Sequence, residues 1–161
     1  MLGYVYVALA LPALILGRDH ADASSALFIG AIFAYLWFIA SLRALLVRFD
    51  PDGFYAGVVA LGGAGFIALQ TVAVLGGRSE VAGASSACAA TVIIGSSLAA
   101  WHARKIGRLF GQAGVVGGVA VLAVGIVEGA ADWTFASSSV FASSLGFMVW
   151  VVVTATYLLR R

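Results

Sequence analysis

The sequence predicts an all-α integral membrane bundle of six transmembrane helices, and three observations lead there. The 161 residues are 63% hydrophobic and only 10% charged, with a mean hydropathy of +1.08. A soluble domain averages about 45–50% apolar and 25% charged residues. The uncharged runs are also long, on the scale of the roughly 17–25 helical residues that cross a bilayer. Third, one pattern occurs three times: an acid, a serine pair five residues on, then an uncharged run that ends at a base. The copies are Asp19 with Ser24-Ser25, Glu80 with Ser85-Ser86 and Asp132 with Ser137-Ser138, ending at Arg43, Arg104 and Arg160. Trp37 and Trp150 each stand 13 residues after the first serine of their copy, where the middle copy has Leu98. The repeat reads as three parallel helical hairpins, about 2–47, 54–103 and 109–159, within a single transmembrane domain 1–161.

Backbone in hydrocarbon must satisfy its own hydrogen bonds, so each apolar run is read as a helix. Helix 1 is about 2–16. It has no positive n-region or small-x-small cleavage site, so a first membrane helix is preferred to a signal peptide, with a kink expected at Pro12. Helix 2, about 24–47, carries the aromatics Phe33, Tyr35, Trp37 and Phe38. Asp50-Pro51-Asp52-Gly53 is a strong turn signal. Helix 3, about 54–75, ends at Gly76-Gly77-Arg78, and helices 4, 5 and 6 follow at about 81–103, 109–131 and 137–159. Phe33, Trp37 and Trp150 are expected to face lipid or a partner. Tyr55, Trp101 and Tyr157 are read as inner interfacial anchors and Trp133 as an outer one.

Charge sets the orientation. Arg43, Arg48, Arg104, Lys105, Arg108, Arg160 and Arg161 fall on one side of a six-span chain, and Arg18 and Arg78 on the other. The basic side is cytoplasmic by the positive-inside rule, so both termini are expected inside. Asp19, Asp22, Glu80, Glu128 and Asp132 then lie at or near the outer face.

On helix 5, Gly107, Gly111, Gly114, Gly118, Gly125 and Gly129 keep to one face, and Gly114/Gly118 and Gly125/Gly129 fit G-x-x-x-G. Such a stripe lets backbones approach closely where lipid gives no hydrophobic drive for association. Helix 4 is the expected neighbour, through Ala89, Ser96 and Ala100. Gly83, near a helix end, is expected to tolerate a larger side chain.

Few residues suggest chemistry. The serine pairs are read as N-caps and the acids before them as complements to the helix dipole. The sharper alternative is an outer ring of Asp19, Glu80 and Asp132, beside His20 and Asp22, that attracts cations or binds a divalent metal. Glu128, about one turn inside the outer end of helix 5, is either paired or snorkelled, or protonatable in a cavity. Gln70, deep in helix 3, is expected to hydrogen-bond between helices. A candidate ion or solute path would use Gln70, Glu128, Asp132, Glu80 and Asp19. Arg104, Lys105 and Arg108 are candidate contacts for lipid headgroups. Cys88 reads as a small core residue. One cysteine excludes an internal disulfide, and no catalytic, cofactor or metal constellation is recognisable. The net charge of +2 gives no basic patch for nucleic acid.

The passage LFIGAIFAYLWFIASLRALL at 27–46, with L-W-F-x-x-S-L-R at 36–43, the six-helix layout and the Arg-Arg end, resembles a loose group of small uncharacterised bacterial multi-pass membrane proteins. The resemblance implies a fold and no activity. The expected function is non-enzymatic: a structural or accessory subunit, embedded in the lipid bilayer as a homo-oligomer or within a larger membrane complex. The alternative is a small transporter or channel with a polar path near Gln70 and Glu128.

Overall fold

The structure, a computed structural model, describes residues 1–16, 21–48, 50, 52–75, 81–102, 108–130 and 144–156. The chain is all-α, and no strand occurs among the described residues. Its helices are α1 (Leu2–Leu16), α2 (Ala21–Leu46), α3 (Phe54–Leu75), α4 (Ala82–His102) and α5 (Arg108–Ala130), followed by α6 (Ser144–Thr156). Among the described residues, three segments are long and apolar enough to cross a membrane: Ala23–Leu46, Phe54–Ala73 and Gly83–His102. The apolar stretches Leu2–Leu16, Gly111–Val127 and Ser144–Thr156 are shorter within the described residues. At about 1.5 Å rise per residue, the 15 residues of α1 extend roughly 22 Å, against a hydrocarbon core of about 30 Å.

Neighbours in sequence pack together: α1 on α2, α2 on α3, α3 on α4 and α4 on α5. The last helix, α6, reaches back to the start of the chain. Phe147 of α6 meets Tyr6 of α1, Tyr35 of α2 and Phe66 of α3, with ring centroids 6.4, 5.7 and 4.7 Å apart. Tyr4 Oη and Thr156 Oγ1 are 2.6 Å apart. Thr156 spends its only hydroxyl hydrogen on Val152 O, so Tyr4 is the donor. α1 runs unbroken through Pro12.

The turn before α3 is built as its residues suggest. Asp50 is buried, and its Oδ2 accepts from the Tyr55 and Ala56 N–H groups at 2.6 and 3.4 Å. Those are orphan donors of the first helical turn, which a carboxylate satisfies well. Gly53 N–H donates to Asp50 O, and Gly53 adopts φ +70°, a conformation open to glycine at little cost.

The serine N-caps are a correction. α2 begins at Ala21 and α4 at Ala82, so Ser24 and Ser85 stand inside the first turns rather than before them. Ser24 Oγ instead donates to Ala13 O at 2.8 Å. Ala13 lies in the last turn of α1, where carbonyls have no partner in the helix, so the serine satisfies the end of one helix from the start of the next. Ser137 and Ser138 lie outside the described residues.

The aromatic run of α2 divides between two environments. Tyr35 and Phe38 are buried, whereas Phe33 and Trp37 are 65% and 55% exposed. Trp150 is a second correction: it is buried, with its ring stacked on Phe147 at 5.8 Å and edge-on to Phe38 at 6.3 Å. Trp37 and Trp150 share a register in the repeat but not a surroundings.

Candidate functional site

Tyr6, Tyr35, Phe38, Phe66, Phe147 and Trp150 form one aromatic core, with successive ring centroids 4.7–6.4 Å apart. Such pairs prefer tilted, offset or edge-to-face geometry, and each adds about 0.5–1.5 kcal/mol beyond area burial. The Tyr35 hydroxyl and Trp150 Nε1 have no partner among the described residues. The rings fill the space between α1, α2, α3 and α6 with one another.

The second feature is the seam between α4 and α5. A Cβ built on Gly111 would stand 2.9 Å from Trp101 Cβ; on Gly118, 2.5 Å from Ile94 Cγ1; on Gly125, 2.7 Å from Ser86 Cβ and 3.0 Å from Gly83 O. On Gly114 it would collide with Ser97 Oγ and stand 2.8 Å from Ser97 Cβ. Four glycines of α5 therefore lie in contact with α4, over most of its length. The facing line on α4 is Ser86, Ile94, Ser97 and Trp101, a different face from the expected Ala89, Ser96 and Ala100. Ser96 turns its hydroxyl onto its own helix, at Val92 O and Ile93 O. Gly83 is not a free helix end, because its carbonyl lies against Gly125. Gly129 falls on α5 but its surroundings are outside the described residues.

The third feature is polar. Gln70 Nε2 of α3 donates to Ser85 Oγ of α4 at 3.1 Å, and Ser85 is buried. At the opposite end of the same helices, the Tyr55 ring stacks on His102 at 5.6 Å. Cys88 is half-buried, with Sγ 3.0 Å from a Cβ built on Gly65; it packs between α4 and α3. Several hydroxyls are tied to their own helix: Ser41 to Trp37 O, Thr71 to Ile67 O and Thr91 to Ala87 O. The buried Ser97 and Thr154 hydroxyls, like that of Tyr35, have no partner among the described residues.

Of the proposed ion path, Gln70 alone has a described side chain. Glu128 stands on α5 one turn beyond Gly125, and its side chain is not described. Asp19, Glu80 and Asp132 lie outside the described residues, as do His20, Arg104 and Lys105; Arg108 opens α5, with its side chain likewise undescribed. Among the described residues no three of His, Cys, Asp and Glu come together. Sequence reasoning missed the aromatic core and the Asp50 cap. The cap had a signal, an acid four residues before the first helical position. The core had none, because inward and outward aromatics look alike in an apolar helix.

No family model matches this chain, and no curated protein or solved structure matches it either.

Proposed function

We propose that this chain is a non-enzymatic protein of the bacterial inner membrane, a structural or accessory subunit whose six helices all cross the bilayer with both termini in the cytoplasm. The observation that carries the reading is the outer surface. Ile15, Phe33, Leu61, Val116 and Val149 are each at least 62% exposed, and they stand on α1, α2, α3, α5 and α6. Apolar surface on so many sides needs hydrocarbon or protein against it. The interior behind it is filled with aromatic rings and close helix contacts, and Gln70 is engaged with Ser85.

The packing also supports six spans rather than three. α5 follows α4 from Trp101 to Gly83, so it traverses the same depth as a helix long enough to cross a membrane. α1 lies along α2 in the same way, with Gly3 by Phe38 and Gly30 by Leu9. The basic excess at the ends of α2, α4 and α6 favours a cytoplasmic inner side.

Two measurements test this reading. Purification from native membranes in mild detergent should recover the chain with other copies or other membrane subunits. Lipid vesicles containing the chain should conduct no more solute than empty ones. Flux through the wild type that is lost in Gln70→Ala or Glu128→Gln would favour a transporter instead.

A further inference from the structure

We draw no further inference here: the strongest candidate, the set of buried polar groups beside the aromatic core that have no partner among the described residues, namely Tyr35 on α2 with Trp150 and Thr154 on α6, carries nothing, because no contact among the described residues brings the three groups to one point around a ligand.

Discussion

Ser97 and Gly114 set the closest approach between α4 and α5. The place that a Cβ would take on Gly114 is occupied by Ser97 Oγ, so the hydrogen that stands there in glycine points at that oxygen. Cα–H···O contacts of this kind recur where helices pack tightly, and each is worth perhaps 0.5–1 kcal/mol. It offers an otherwise unpartnered hydroxyl some compensation. Gly114→Ala must displace Ser97 Cβ as well as its rotatable oxygen, and overpacking a tight contact costs about 1–3 kcal/mol. Gly117 is the natural control: a Cβ there meets nothing within 4 Å, and alanine raises helix propensity by about 0.8–1 kcal/mol over glycine. Thermal unfolding in detergent should therefore show Gly114→Ala below wild type and Gly117→Ala level with it or above. Equal melting temperatures for the two variants would mean that the seam does not constrain the bundle.

At the scale of the helices, α6 is the element that joins the ends of the chain, and it does so through one ring. Phe147 is 1% exposed and contacts aromatics from α1, α2 and α3. Truncating a buried phenylalanine costs about 3–5 kcal/mol. Phe147→Ala should lower the melting temperature in detergent by far more than Val149→Ala, on the same helix but 62% exposed. A similar shift for both would place α6 outside the core. The start of α3 was legible in the sequence, because the turn chemistry of Asp50–Gly53 leads straight into it. The glycine face of α5 was legible too, since close approach depends on the absence of a side chain. The start of α2 was not: a serine near a helix end can cap its own helix or, as Ser24 does, bond to its neighbour. Nor was the division of Phe33 and Trp37 from Tyr35 and Phe38. In water a polar face marks the outside of a helix, but in lipid both faces are apolar and the sequence carries no contrast between them.

The whole molecule is read as six helices crossing together, three long enough on their own and three held alongside them. That claim is tested most directly by mapping which side of the membrane the four loops from α2 to α6 occupy. In a Cys88→Ser background, single cysteines at Asp52→Cys, Gly77→Cys, Ile106→Cys and Thr134→Cys would be probed in intact cells with an impermeant thiol reagent, beside a reporter fused after Arg161. Six spans with the basic side inside predict labelling at positions 77 and 134, protection at 52 and 106, and a cytoplasmic reporter. Position 134 protected like 106, or a reporter on the periplasmic side, would contradict the account, because α5 and α6 would then not both cross.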